Sequence, residues 1–401
     1  AGVIVSNLDP LGKMIEHGFH ITGVVPNNEA IVAVAQKVLG VETMSILVVG
    51  LLMNLCIARF TKFKYVFLTG HHSLFMACLM SAVLGTAGLS GIELILVGGF
   101  LMGAWSAISP AIGQSYTSKV TDGDEIALGH FGSLGYYLSA WVAKYIGKAE
   151  ESTEDIEIPE KWGFLRDSTL STALTMIVFY LIAAIAAGSE FVATLSGSMS
   201  PYLFAIMSAM NFAVGVAIVY SGVRMILGDL IPAFQGIATK IIPNAIPAVD
   251  CAVFFTYAPT AVVLGFISSF IGGIIGMLIL GAVGGVLIIP GLVPHFFCGA
   301  TAGIYGNATG GRRGAAVGAF LNGLAITFLP ALALPVLGQL GFQNTTFGDA
   351  DFAVMGLVLG NAFEWIGMAG IYGIVVIAAL VLIIPNFIKT KGKVINYVEE
   401  D

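Results

Sequence analysis

Nine ionisable side chains lie in largely apolar surroundings: Glu29, His71, His72, Glu93, His130, Asp229, Asp250, His295 and Glu364. Inside a membrane such groups are costly, and they usually face a cavity or a partner. Two of them share a setting. Asp250 follows a proline in "IPAVDC" (246–251), and Glu29 follows one in "VVPNNEA" (24–30). A carboxylate at such a break can accept hydrogen bonds from sugar hydroxyls, and a neutral histidine can donate or accept. An acid beside free amides is also an ordinary helix cap, and the two roles are compatible. His71 and His72 follow one another after "LTG", and His130 sits in "IALGHFGSLGYY", a glycine-rich helix that neighbours can approach closely. Carboxylates and histidines without a charge excess suit a neutral or singly charged, hydroxyl-rich ligand. Glu93 and Glu364 lie near expected helix ends, where snorkelling to the interface explains them. Tyr136 and Tyr137 read as core or interfacial belt.

No GxxxxGK[ST] loop occurs, so direct use of ATP is not expected. Cys56, Cys78, Cys251 and Cys298 show no CxxC spacing and read as small membrane hydrophobes. No catalytic residue, metal site or cofactor is expected.

The elements that must position these residues are membrane helices. The chain has 401 residues, 57% hydrophobic and 10% charged, with a mean hydropathy of +0.93. A soluble domain carries about 25% charged residues, so these few charges cannot cover a water-facing surface. Apolar runs of about 20 residues recur, the length of a membrane-crossing helix. The fold class is therefore all-α, a polytopic membrane protein of about 10–11 transmembrane helices, with re-entrant segments. Spans are expected over 42–58, 65–86, 91–109, 126–147, 168–188, 201–223, 251–272, 274–289, 314–336 and 365–385. Residues 10–40, 229–250 and 290–309 mix polar groups, Pro and Gly with apolar ones. Such broken backbone is tolerated at membrane depth only under protein or beside a water-filled cavity. The chain opens on "AGVIVSN", which reads as the end of a helix, so residues are expected to precede it. Residues 150–160, "EESTEDIEIPE", carry six acids and read as a solvated linker, with a docking surface as the lesser alternative.

Five landmarks recur about 220 residues apart and in one order. "GGFLMGAWSAISP" from Gly98 matches "GAFLNGLAITFLP" from Gly318. Pro10 matches Pro232, "VPNNE" matches "IPAVD", the histidines of "LTGHH" match that of "PGLVPH", and "GDEIALG" matches "GDADFAVMG". Basic loops in one half, such as those with Arg59, Lys62 and Lys64, correspond to uncharged loops in the other; Arg312 and Arg313 reverse the pattern. Because Lys and Arg favour the cytoplasmic side, the halves are expected to be inverted repeats, as in secondary transporters. The expected organisation is a first repeat over 1–148, lacking its N-terminal helix, a hydrophilic linker with two extra spans over 149–222, and a second repeat with a cytoplasmic tail over 223–401.

As a set, "DLIPAFQGIATKIIPNAIPAVDCAVFFTYAPTAVVLGF", "IIPGLVPHFFCGATAGIYGN", "LTGHHSLF", "VTDGDEIALGHF" and the acidic "GKAEESTEDIEIPEKW" resemble the ascorbate-specific enzyme IIC of the bacterial phosphotransferase system. The likeness runs over essentially the whole chain. It implies a homodimer in the inner membrane, surrounded by lipid, with inverted repeats and an elevator-like movement. It also implies import of L-ascorbate for phosphorylation by a phosphocysteine on enzyme IIB, itself charged by enzyme IIA, with no phosphate carried on this chain and no nucleic acid involved. By motif, the sugar-binding positions fall on Asn28, Glu29, His71, His72, Phe75, His130, Phe131 and Asp250. Some relatives have glutamine at Phe75 and Phe131 and tyrosine at Glu29, which leaves a related sugar acid or polyol open as substrate. An ion-coupled transporter using Asp250 and Glu29 is the alternative reading.

Overall fold

The computed structural model describes residues 2–26, 28–123, 125–156, 168–338 and 345–387. The first half contains α1 (Gly2–Gly18), β1 (Val25–Pro26), α2 (Asn28–Phe60), β2 (Tyr65–Phe67), α3 (Gly70–Thr86), α4 (Gly91–Thr121), β3 (Ala127–Leu128) and α5 (Ser133–Ile146). A 3-10 turn (Thr153–Asp155) precedes α6 (Ser168–Ala187), α7 (Ser189–Ser196) and α8 (Pro201–Lys240). The remainder is β4 (Ile246–Val249), a 3-10 turn (Cys251–Thr256), α9 (Pro259–Ala282), α10 (Leu292–Gly338), β5 (Thr345–Thr346), α11 (Ala350–Ile366) and α12 (Met368–Phe387).

The chain is mostly helical. Among the described residues, seven helical stretches are long and apolar enough to cross a membrane: Gly40–Phe60, Gly91–Thr121, Thr169–Ala187, Pro201–Phe234, Pro259–Ala282, Leu292–Leu337 and Met368–Phe387. Several expected spans are built differently. Residues 65–86 and 126–147 each begin as a short strand, leaving α3 with 17 residues and α5 with 14. The two spans expected over 251–289 are one helix, α9, entered through a 3-10 turn. Residues 290–309 are helical from Leu292, because Pro294 falls in the first turn, where its missing N–H costs nothing. The break in α10 comes later, at Gly310–Gly311, and Gly311 has φ 59°. A side chain at Gly311 would meet the Lys148 carbonyl 2.3 Å away, so only glycine fits this turn. Helix α11 was not expected as an element at all.

Small residues set the helix spacing, as is usual in membranes. Helices α9 and α10 touch where Gly265 faces Gly299 and Gly303, and α10 meets α5 where Gly318 faces Ser139. Helices α1, α6 and α8 pack together, and the Tyr180 hydroxyl donates to the Asn7 carbonyl across that contact. Helices α2, α3 and α4 form a second group, joined by α11 and α12.

Two small parallel sheets tie distant parts of the sequence together. In one, β4 lies between β2 and β3, with Tyr65 opposite Ile246, Val66 opposite Pro247 and Ala127 opposite Ala248. In the other, β1 pairs with β5, and Val24 bridges to Ile288 on its other side. Each middle strand comes from one half of the sequence and both its neighbours from the other half. Pro247 is tolerated inside its sheet for a geometric reason. The Ile246 amide donates to Lys64 on the β2 side, so alternation turns position 247 toward β3, whose first partner is Ala248.

The acidic stretch is described as far as Ile156, and that part is anchored rather than merely solvated. The Glu154 carboxylate accepts from Thr260 N at 3.0 Å, Thr260 Oγ1 at 2.8 Å and Ala261 N at 3.1 Å, capping α9. Thr153 N donates to Asn307 Oδ1 at 2.8 Å, and Arg312 N donates to the Glu151 carbonyl at 2.8 Å. Glu154→Ala is expected to cost about 1 kcal/mol, the usual worth of a helix cap. A lowered thermal midpoint in detergent checks this, with Glu154→Asp expected to recover part of the loss.

Candidate functional site

The site lies where the strands end and helices begin. Asn28 opens α2 just past β1, and His71 and His72 stand in the first turn of α3 just past β2. His130 follows β3 and precedes α5, Asp250 follows β4, and Asp349 follows β5 and precedes α11. Short strands leave little room before the next helix, so the connecting residue of each is carried to one place.

Contacts join these residues across both halves. Asn28 Nδ2 donates to Asp349 Oδ2 at 2.8 Å, and Asn28 Oδ1 accepts from Gly348 N at 3.0 Å. Cys298 Sγ donates to Asp349 Oδ1 at 2.9 Å. His71 Nε2 lies 3.5 Å from Asp250 Oδ2, and both side chains are partly open to solvent. The other Asp250 oxygen accepts from Ala252 N at 3.1 Å, so Asp250 is both a cap and a member of the cluster. The buried His72 and His130 rings lie 3.8 Å apart between centroids. His72 Nδ1 accepts from Phe131 N at 3.3 Å; His130 Nδ1 accepts from Gly132 N at 3.1 Å and lies 2.9 Å from the Tyr136 hydroxyl.

An aromatic wall closes one side. Phe352 stacks on His72 at 5.6 Å, and Phe75 sits 5.8 Å from His71 and 5.9 Å from His72. Phe131 is fully buried and stacks on Phe67 at 4.5 Å. Its backbone holds the site: the N–H meets His72, and the carbonyl accepts from Asp351 N at 2.9 Å. Below it the buried Asp351 carboxylate accepts from Ser133 Oγ at 2.7 Å, Leu134 N at 2.9 Å and Trp105 Nε1 at 3.1 Å.

Of the expected site residues, Asn28, His71, His72, His130 and Asp250 meet in one cluster, with Phe75 beside it. The backbone of Glu29 lies in the first turn of α2, and its side chain falls outside the described residues. His295 goes elsewhere: its Nδ1 pairs with Ser269 Oγ at 2.9 Å inside the α9–α10 contact. Glu93 pairs with the Tyr372 hydroxyl, and Asp229 and Glu364 are exposed. Sequence reasoning missed Asp349, Asp351, Cys298 and Tyr136. The match between "GDADFAVMG" and "GDEIALG" was a usable signal for Asp349, since it placed that aspartate opposite the stretch leading to His130.

Two electrical features shape the chemistry. Four α-helix N-termini, those of α2, α3, α5 and α11, end at the cluster, and each carries partial positive charge. Against them stand two carboxylates, each holding hydrogen-bond donors of the protein. His72, His130 and Asp349 have polar atoms all within 4.8 Å of one another, as do His130, Asp250 and Cys251. Spacing alone would admit a cation there.

Residues 1–351 match the family described as the sugar-specific permease component of the phosphotransferase system, EIIC-GAT. The chain belongs to this family. The permease is a multi-pass membrane protein, and the cluster lies at the starts of several of its helices. It is also 25% identical over 349 residues to the ascorbate-specific PTS system EIIC component of Mycoplasma pneumoniae. That match covers 77% of the permease chain and 52% of the relative, so the chain spans about half the length of that protein.

Proposed function

We propose that this permease binds L-ascorbate at the Asn28–His71–His72–His130–Asp250–Asp349 cluster and carries it across the bacterial inner membrane for phosphorylation by enzyme IIB. The observation that carries this reading is the meeting of four helix N-termini with histidines and hydrogen-bonded carboxylates at one point. Helix N-termini favour an anionic group on the ligand. The carboxylates accept from hydroxyls, and the imidazoles can donate to the acidic part. A singly charged, hydroxyl-rich acid matches both demands. The ascorbate-specific name of the Mycoplasma pneumoniae relative supports the same substrate.

The exchanged sheets support the inverted-repeat organisation over 1–148 and 223–401, since each middle strand from one half is held by two from the other. A homodimer moving by an elevator-like step, with enzyme IIA charging enzyme IIB, completes the reading. Glu29 and Phe75 belong to the proposed sugar site, and Phe131 serves it through its backbone.

Proteoliposomes holding the full chain provide the test. L-Ascorbate phosphate is expected to form only with phosphorylated enzyme IIB on the cytoplasmic face. Free sugar accumulating under a proton gradient alone would overturn the reading in favour of ion-coupled transport. Binding of pentitols or hexitols in preference to ascorbate would move the substrate to that class.

A further inference from the structure

We propose that His72 and His130 are held as neutral rings with the proton on Nε2, so that the sugar meets two fixed hydrogen-bond donors and no proton carrier. For the ligand this rests on the sugar site proposed above; the state of the rings stands on the contacts alone. A neutral imidazole has one donor nitrogen and one acceptor nitrogen, and the tautomer follows from what each nitrogen faces. Here Nδ1 of His72 faces the Phe131 amide, and Nδ1 of His130 faces the Gly132 amide. A backbone N–H cannot turn into an acceptor. A proton on either Nδ1 would set N–H against N–H, at positions fixed by the turn between β3 and α5. The remaining proton must therefore sit on Nε2.

The neighbouring charges do not undo this. His72 faces His71 on its own helix, His130 from the β3–α5 turn and Asp349 from the turn before α11. His130 faces Asp250 and Cys251 past β4, Asp349, and Tyr136 on α5. Both carboxylates are already engaged, Asp349 by Asn28 and Cys298, Asp250 by Ala252 N and His71. Two imidazolium rings 3.8 Å apart would also repel one another. The same contacts oppose a metal ion. A ligating histidine normally donates its second N–H to an acceptor behind it, whereas donors stand behind both of these rings.

The chain has six histidines, few enough for nitrogen-15 spectroscopy of the histidine-labelled full-length protein in detergent. His72→Gln and His130→Gln identify the two signals. Both rings are expected to keep the neutral Nε2–H pattern from about pH 5.5 to about pH 8, the range in which a free imidazole titrates. An imidazolium or an Nδ1–H pattern on either ring would overturn the proposal. Ascorbate affinity gives a second readout. Glutamine places its amide near the position of Nε2, asparagine near that of Nδ1. Both variants lose part of the contact, but His130→Gln, which keeps a donor near Nε2, is expected to bind at least about tenfold more tightly than His130→Asn, which does not. Equal losses would refute the donor role. Failure of the parent protein to bind ascorbate would instead sink the substrate reading, while the spectra still decide the ring states.

Discussion

Asp250→Asn is expected to weaken sugar binding by about tenfold or more while leaving the fold intact. The two oxygens of Asp250 have different duties. Oδ1 caps the 3-10 turn through Ala252 N, and Oδ2 faces His71 at the open side of the cluster. Asparagine keeps one oxygen for the cap and loses the charge. Hydrogen bonds to charged groups are worth about 1.5–3 kcal/mol, and each 1.4 kcal/mol is about tenfold in affinity. Calorimetry of ascorbate binding, beside a melting curve, checks both parts. Asp250→Ala removes the cap as well and is expected to lose about 1 kcal/mol of stability in addition. Unchanged binding by Asp250→Asn would reduce this residue to a cap.

Asp351→Leu is expected to give the largest loss of stability of any single change near the site. Its carboxylate takes three donors from two helices: Trp105 on α4, and the Ser133 hydroxyl and Leu134 amide at the start of α5. Leucine matches the volume roughly but leaves all three without an acceptor inside the protein. An orphaned buried donor costs about 1–3 kcal/mol, so a total of about 3–5 kcal/mol is expected after relaxation. Asp351→Asn keeps an acceptor but turns an NH₂ toward at least one donor, and about half that loss is expected. Thermal melts of the two variants check the order. Since the Asp351 amide also holds the Phe131 carbonyl, whose residue supplies the N–H behind His72, sugar affinity should fall with stability.

The sequence revealed the membrane class and most of the cluster because both depend on composition and on polar groups in apolar surroundings. His71, His72, His130 and Asp250 stood out on those grounds, Asn28 only through the family resemblance, and the five are brought together. Asp349 and Asp351 did not stand out, although they lie in "GDADF", because an acid at the edge of an apolar run looks like any loop end. Helix boundaries failed where strands intervene. A strand of two or three residues leaves no periodic trace, and its pairing is set by a partner far away in sequence, as Tyr65 is by Ile246. Cys298 was dismissed for want of a cysteine motif, yet its thiol serves as a plain donor to Asp349. Pro247 was expected to interrupt a helix; it lies instead in β4, beyond the end of α8, and its place inside a sheet depends on where β3 begins.

The exchange of middle strands has a bearing on how the protein is made. When the ribosome has released only the first half, β1 lacks Ile288 and β5, and β2 and β3 lack the strand that joins them. Their backbone amides and carbonyls then lack those partners, and inside a membrane unpaired groups are expensive. Those segments must wait near the interface or under the insertion machinery until residues 246–249 and then 345–346 arrive. The proposed sugar site is therefore among the last parts to be completed. Truncation before β5 should leave an inserted but leaky, protease-sensitive intermediate rather than half a permease.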